Sequence, residues 1–342
     1  AYAPGGTLLA SKGEDRTLRL WRTNPIVLWQ GGSEVDAQTA AGALDASNDG
    51  VSSAVFSPDG RTLAAFGWNV LKLYDVSSGL ERPSRLSTGV PVFAAQFGPD
   101  SRTLVWADST GVQVRDLSAD KTSRPVDEPF FHRTYVALSH DGRQVAWAPK
   151  DKPGDIHLCN LQTLERRVLS CEPVGSLCGI VFSPDDGTLA AHYNGALVLH
   201  DLLKGQAHRL VGNERGQPPI IHGFVALSFS PDSRIVVAGA QSRLQCFEAS
   251  SGTPITDVLH TNNGIPFPAI SPNGKTLAVT VGKQKSVEAV AICEMAGGKQ
   301  LAELVGHTAA VTCLAYSKDG RTLATGSRDG TLRLWDTHTH QE

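Results

Sequence analysis

The chain has 342 residues, 41% of them apolar, and carries a formal net charge of −3. It can therefore bury a large core, but it has no long-range attraction for nucleic acid or for an anionic membrane. No apolar run approaches the roughly 18 residues that a membrane span requires. The six cysteines show no paired spacing, which favours buried thiols over disulfides or a metal site and indicates a reducing, cytoplasmic compartment.

The first 25 residues predict a β-hairpin, with strand-like runs at 7–11 and 17–21 around Glu14 and Asp15. An apolar run at residues 26–30 predicts a further, outer strand. Residues 31–50 are rich in Gly, Ala, Ser, Asp and Asn and contain few large apolar side chains. They predict a loop or linker that is longer than most connections in a compact domain.

From residue 51 onward the chain repeats one unit, which is marked most clearly by the turn Ser57-Pro58-Asp59-Gly60. Pro sets φ at the second place of this turn, and Gly suits its last place. The second places of all the turns fall at 4, 58, 99, 140, 184, 231, 272 and 318. A period in the low forties with four strands per unit is the signature of a β-propeller. The first strands of six units are predicted at 51–57, 92–98, 135–139, 177–183, 224–230 and 266–271.

The last unit, residues 306–336, opens with a Gly-His pair and closes with a Trp-Asp pair. Three strand-like runs lie between these pairs, separated by a type I turn at 317–320 and a tight Asp-Gly hairpin at 329–330. These features and their spacing resemble the WD-repeat family. The resemblance implies an all-β propeller built from four-stranded antiparallel blades. It also implies a buried hydrogen-bonded tetrad in this unit, formed by His307, Thr325, Asp329 and Trp335.

The eight turns are compatible with two closed arrangements of blades. The last unit has no clear outer strand, and residues 337–342 predict only a C-terminal tail. By resemblance to the family, we therefore favour a seven-bladed ring over residues 26–336, which the strand at 26–30 closes so that no strand edge stays exposed. Residues 1–25 are then a hairpin remnant of a preceding repeat. In the alternative, an eight-bladed ring includes that hairpin in its first blade.

The sequence contains no evident catalytic constellation. It has neither a Gly-x-Ser-x-Gly nucleophile elbow nor a phosphate-binding Gly-x-x-x-x-Gly-Lys motif. The turn aspartates recur at equivalent places, which indicates a structural role, whereas an active site requires different groups that converge on one point. We therefore predict a protein that is not an enzyme and that uses neither a cofactor nor a metal ion.

The functional prediction depends on residues that differ between the units. WD-repeat proteins commonly bind partners at the end of the blades that carries the hairpins between second and third strands and the loops leading into first strands. Here those segments contain aromatic and Arg side chains, the types enriched at interface hot spots: Trp68, Phe130, Phe131, Arg133, Tyr193, Arg215, Arg243 and Arg328.

These residues predict a non-catalytic scaffold that binds a protein or peptide partner and that does not bind nucleic acid or membrane. The scaffold is expected to be a monomeric ring within a longer multidomain protein. The alternative is a propeller-type hydrolase or a periplasmic translocation-type propeller, families that share the Ser-Pro-Asp-Gly turn. The Gly-His and Trp-Asp pairs favour the scaffold.

Overall fold

A computed structural model describes the backbone of most of the chain as antiparallel β-structure. The described residues are 8–12, 18–22, 40–44, 51–68, 70–78, 80–82, 86, 89–128, 136–149, 154–169, 177–193, 196–210, 225–240, 243–255, 259–260, 268–282, 288–317, 319–327, 329 and 331–342. Every regular element in these ranges is a strand, and none of them is a helix that could cross a membrane. The predicted all-β class is confirmed.

The strands form eight consecutive sheets, numbered here in chain order. Sheet 1 contains β1 (Leu8–Lys12), β2 (Leu18–Arg22) and β3 (Ala40–Leu44). Sheet 2 contains β4 (Val51–Phe56), β5 (Thr62–Gly67) and β6 (Val70–Asp75). Sheet 3 contains β7 (Val92–Phe97), β8 (Thr103–Asp108), β9 (Gly111–Asp116) and β10 (Lys121–Val126). Sheet 4 contains β11 (Val136–Leu138), β12 (Gln144–Trp147), β13 (Ile156–Asn160) and β14 (Arg166–Leu169).

The second half of the chain continues the same order. Sheet 5 contains β15 (Leu177–Phe182), β16 (Thr188–Tyr193), β17 (Ala196–Asp201) and β18 (Gln206–Leu210). Sheet 6 contains β19 (Val225–Phe229), β20 (Ile235–Ala240), β21 (Arg243–Glu248) and β22 (Leu259–His260). Sheet 7 contains β23 (Pro268–Ile270), β24 (Thr276–Gly282), β25 (Glu288–Glu294) and β26 (Gln300–Leu304). Sheet 8 contains β27 (Val311–Tyr316), β28 (Thr322–Ser327) and β29 (Leu332–Asp336).

The predicted organisation of the first fifty residues requires a correction. Strand β3 lies inside the predicted linker at 31–50 and pairs with β2, where Leu44 is opposite Leu18. Backbone hydrogen bonds are sufficient for such pairing, so a segment of small residues can form a strand despite its weak β-propensity. The predicted strand at 26–30 lies outside the described residues, and the choice between seven and eight blades stays a prediction.

The apolar core lies between consecutive sheets, from sheet 2 through sheet 8. Each of six core clusters combines residues from two neighbouring sheets. In β8, for example, Leu104 packs against sheet 2 and the next residue, Val105, packs against sheet 4. Because both faces of such a strand are covered, its sequence is a continuous apolar run instead of an alternating one. Strand β5 is likewise buried along its whole length.

The turns from first to second strands have one local structure, which explains why they recur. In sheet 2 the buried Ser57 hydroxyl donates to the Asp59 carboxylate at 2.6 Å and accepts from the Thr62 N–H at 2.9 Å. The same carboxylate accepts from the Arg61 N–H. Hydrogen bonds also link these turns to those after the third strands, as when the Val76 N–H donates to the Arg61 carbonyl. Both kinds of turn therefore share one end of the sheets, the turn end.

The fourth residue of these turns has a positive φ in sheets 2 to 8, and in sheets 3 to 8 it faces the turn of the preceding sheet. Where it is not Gly, its side chain bonds to that turn. Asp186 (φ 56°) accepts from the backbone N–H groups of His140 and Asp141 at 2.7 and 2.9 Å. Ser101 accepts in the same way from the Asp59 N–H at 3.1 Å. These bonds offset the cost of the left-handed conformation and join neighbouring sheets.

Candidate partner-binding site

The end opposite the turn end, the hairpin end, contains the predicted tetrad in sheet 8. His307 Nε2 lies 2.7 Å from Thr325 Oγ1, and the Trp335 indole N–H donates to the same oxygen at 2.9 Å. His307 Nδ1 lies 2.9 Å from Asp329 Oδ2. A neutral imidazole with its proton on Nδ1 satisfies every group, because the Thr325 hydroxyl then donates to Nε2. The structure thus brings all four side chains together, and His307, Thr325 and Trp335 are buried.

The Asp329 carboxylate is the anionic end of this chain of hydrogen bonds. Burial alone raises its pKa, but hydrogen bonds from Thr331, from the Thr308 N–H and from His307 outweigh burial and hold the pKa well below its usual range. The Asp329 side chain closes the hairpin between β28 and β29 and also fixes the loop that leads into β27. The tetrad therefore gives the hairpin end of sheet 8 a rigid base.

Sheets 3 and 4 each contain a different hydrogen-bonded arrangement of side chains, which was not predicted from the sequence. Trp106 and Trp147 occupy the place in the second strand that Thr325 has in sheet 8. The Trp106 indole N–H donates to Asp108 Oδ2 at 3.0 Å, and the Trp147 indole N–H donates to Glu128 Oε2 at 3.2 Å. Both rings are buried. The sequence does indicate this arrangement, because a Trp at that position of a second strand requires a hydrogen-bond acceptor for its indole N–H.

The structure separates the predicted partner-binding residues. Trp68 lies in the two-residue hairpin between β5 and β6, where Gly67 pairs with Val70, and its side chain is 70% exposed. Tyr193 is fully buried against sheet 4, and its hydroxyl donates to the Gly154 carbonyl at 3.1 Å. Because it is buried, Tyr193 is not accessible to a partner, which corrects the prediction that it contacts one. As the last residue of β16, it lies on the face that the neighbouring sheet covers.

The other predicted contact residues are not characterised at the level of side chains. Arg243 begins β21, and only its backbone pairing is described. The remaining residues, which lie outside the described part of the chain and stay predictions, are Phe130, Phe131, Arg133, Arg215 and Arg328.

Among the described residues, the pKa values of turn aspartates are shifted by local hydrogen bonds, and those of two cysteines are shifted by burial. The Ser57 hydroxyl lowers the pKa of Asp59, and Ser317 does the same for Asp319, so these turn carboxylates are stabilised as anions rather than as proton donors. Burial raises the pKa of the Cys159 and Cys293 thiols, which makes them poor nucleophiles. No group of three or more metal-ligating side chains occurs within the described ranges.

Comparison with known proteins agrees with this architecture. A model of the WD domain, G-beta repeat, matches residues 39–75 and 298–336. The first span contains β3 to β6 and the second β26 to β29, so each match joins the outer strand of one sheet to three strands of the next.

Several known proteins are similar to parts of the chain. Apoptotic protease-activating factor 1 of Danio rerio is 27% identical over 48% of this chain and 13% of its own length. The periodic tryptophan protein 2 homolog of Dictyostelium discoideum is 24% identical over 61% of the chain and 22% of its own length. The target of rapamycin complex subunit wat1 of Schizosaccharomyces pombe is 30% identical over 30% of the chain and 32% of its own length. The chain thus spans less than a third of each relative. The chain therefore contains WD repeats near both ends, and the sheets between them have the same antiparallel architecture.

Proposed function

We propose that the chain is a non-catalytic scaffold of the cytoplasm that binds a protein or peptide partner at its hairpin end. The single observation that carries this proposal is Trp68, a large aromatic side chain that is 70% exposed. It lies in a two-residue hairpin between two strands that are buried along most of their length. The short hairpin restricts the backbone at Trp68, so little backbone entropy is lost on binding, and Trp is among the residues most enriched in binding hot spots.

The chemistry of the repeated groups supports a binding role over catalysis. The turn aspartates and the tetrad are engaged in local hydrogen bonds that hold the strands together. No described cluster combines a nucleophile, a base and a donor for a developing negative charge, which is what acyl or phosphoryl transfer requires. One relative is by name a subunit of a larger complex, which is the kind of role that we propose for this chain.

The test compares two exposed side chains at opposite ends of the sheets. Trp68→Ala removes the proposed anchor, and Leu203→Ala is the matched control, since Leu203 is 89% exposed in the turn after β17. Wild-type and variant chains are expressed with an affinity tag in cells, and copurifying proteins are quantified by mass spectrometry. Loss of a central Trp anchor costs about 2 kcal/mol or more, so a specific partner should be recovered at least about tenfold less with Trp68→Ala.

Thermal melts of the purified variants show whether each remains folded. Leu203→Ala should recover the partner like the wild type. Equal recovery with Trp68→Ala, or loss with Leu203→Ala, contradicts binding at the hairpin end. Substrate turnover by the purified chain that depends on one of its side chains contradicts the scaffold itself.

A further inference from the structure

Two neighbouring sheets expose a leucine at the turn end, in the turns that follow their third strands. Leu164 of sheet 4 is 56% exposed, and Leu203 of sheet 5 is 89% exposed. Leu164 occupies the fourth place after the end of its third strand, where the other sheets have Gly79, Asp120, Gly205, Gly252, Gly298 and His340. Leu203 occupies the second such place, where the other sheets have Ser77, Ser118, Gln162, Ser250, Ala296 and His338. The repeated turn therefore does not require a leucine at either place.

Leu164 also occupies a place that favours Gly. Its φ is 60°, compared with 66° for Gly205 and 72° for Gly252, and the N–H of all three residues donates to the carbonyl of the residue that ends the third strand. A left-handed conformation costs a residue other than Gly about 1 kcal/mol, and an exposed side chain recovers little of this by packing. Strain without a gain in packing points to a role for Leu164 outside folding.

Arg167 connects the turns that carry the two leucines. It lies in β14, three residues after Leu164, and both terminal nitrogens of its guanidinium donate to the Leu202 carbonyl at 3.3 Å. Three residues of strand span at most about 11 Å, and Leu203 directly follows Leu202. The Arg167 guanidinium therefore lies between the two exposed leucines.

The charges around these turns leave the Arg167 guanidinium without an anionic partner. Arg166 pairs with Glu128 at 2.6 Å, and Lys204 pairs with Asp201 at 3.1 Å. Within the described ranges no carboxylate pairs with Arg167, whose side chain is exposed. A guanidinium that is bonded only to a backbone carbonyl keeps N–H donors for a carboxylate from another molecule.

We propose that Leu164, Arg167 and Leu203, the leucine surface, bind a short extended segment of a partner protein that carries two aliphatic side chains with one carboxylate between them. The aliphatic side chains cover the leucines, and the carboxylate pairs with Arg167. Exposed apolar side chains beside charged groups are typical of such interaction sites. Glu165, which is also exposed, repels further carboxylates, so the segment is not a run of acidic residues. This partner is a different one from the partner proposed for the hairpin end.

The experiment uses phage-displayed random dodecapeptides as the probe. They are selected on the full chain after adsorption to a double variant, Leu164→Gly with Arg167→Gln. The enriched peptides should carry an Asp or Glu with an aliphatic residue about three places to either side. A fluorescein-labelled copy of an enriched peptide should bind the wild type, and each single substitution should raise its Kd about tenfold.

Matched controls test whether any exposed leucine or arginine has the same effect. Leu80 is 70% exposed at the turn end of sheet 2, and Arg124 is exposed on the outer strand of sheet 3. Leu80→Ala and Arg124→Gln should bind the peptide as tightly as the wild type. Trp68→Ala should also bind it normally, whereas Leu203→Ala should release this peptide and leave the partner at the hairpin end bound.

Thermal melts separate a loss of binding from a loss of folding. Leu164→Gly should keep or raise the melting temperature, because Gly adopts a positive φ without strain. Its lower affinity then reflects the missing side chain. Leu164→Asn, which also tolerates this conformation, should weaken binding to the same extent without the added backbone freedom of Gly.

Two results overturn the proposal. The first is a selection that yields no peptide whose binding Leu164→Gly and Arg167→Gln weaken. The second is a set of enriched peptides that lack a carboxylate between their aliphatic residues. A peptide that Trp68→Ala releases and Leu164→Gly does not release supports binding at the hairpin end and contradicts the leucine surface, so the two proposals fail separately.

Discussion

We expect the buried His192 to make the stability of the chain sensitive to acid. It lies in β16 and is fully buried, and neither ring nitrogen has a hydrogen-bond partner in the described part of the chain. Ala190, two residues earlier on the same face, packs with Leu197 and with Val236 of sheet 6. Burial in these apolar surroundings lowers the pKa of His192 from 6.5 to about 4. The folded chain therefore holds this imidazole in its neutral form.

The sign of the effect follows from linkage. Because the folded pKa is lowered, the unfolded chain binds a proton below pH 6.5 that the folded chain does not bind until about pH 4. Stability is complete above pH 6.5 and falls as the pH is lowered toward 4. At 1.36 kcal/mol per pH unit the full loss is roughly 3 kcal/mol, and about 2 kcal/mol of it is reached by pH 5. This is a large fraction of the 5–15 kcal/mol typical of folded domains.

The variant His192→Leu removes the titrating group while nearly keeping its volume. Urea unfolding at pH 7 and at pH 5 should show that the wild type loses about 2 kcal/mol more than the variant over this interval. His338→Gln, in an exposed turn, is the control for loss of a histidine. His200, whose pKa burial also lowers to about 4, remains in the variant and keeps part of the acid sensitivity. Equal losses in wild type and His192→Leu would refute a neutral, unpaired His192.

Two further substitutions, each with a control, test the hydrogen bonds at the two ends of the sheets. Asp329→Ala leaves buried donors unpaired and should destabilise the chain by roughly 1–3 kcal/mol in urea titration. The control Asp319→Ala, in an exposed turn, should lower the free energy of unfolding by under about 1 kcal/mol. Equal losses of stability in the two variants contradict a stabilising role for the tetrad. Asp186→Gly loses two bonds to the preceding turn and should destabilise by about 1 kcal/mol although it relieves a positive φ. Leu164→Gly relieves the same strain (φ 60°) at a 56% exposed residue and should stabilise the chain by up to about 1 kcal/mol. If Asp186→Gly stabilises the chain as Leu164→Gly does, the bonds of Asp186 add nothing.

The sequence alone determined the features that depend on neighbouring residues. The turn at Ser57 to Gly60 closes through bonds within five residues, so its residue types predict both its structure and its recurrence. The strand runs and their period followed from the same local rules, and they led to the correct fold class. The four tetrad residues were predicted from the resemblance to the WD-repeat family, and their side chains have matching hydrogen-bond donors and acceptors.

Only the tertiary structure decided which of these residues are accessible. Tyr193 and Trp68 both lie at second-to-third strand hairpins, yet a neighbouring sheet covers the first and leaves the second exposed. The surroundings of His192, whose ring nitrogens have no hydrogen-bond partner among the described residues, likewise depend on what the neighbouring sheets place beside it. Stacked sheets bury both faces of a strand, so the alternation that separates inner from outer residues in an ordinary sheet is absent. Burial in this fold is set by contacts between units about forty residues apart, which local sequence does not encode.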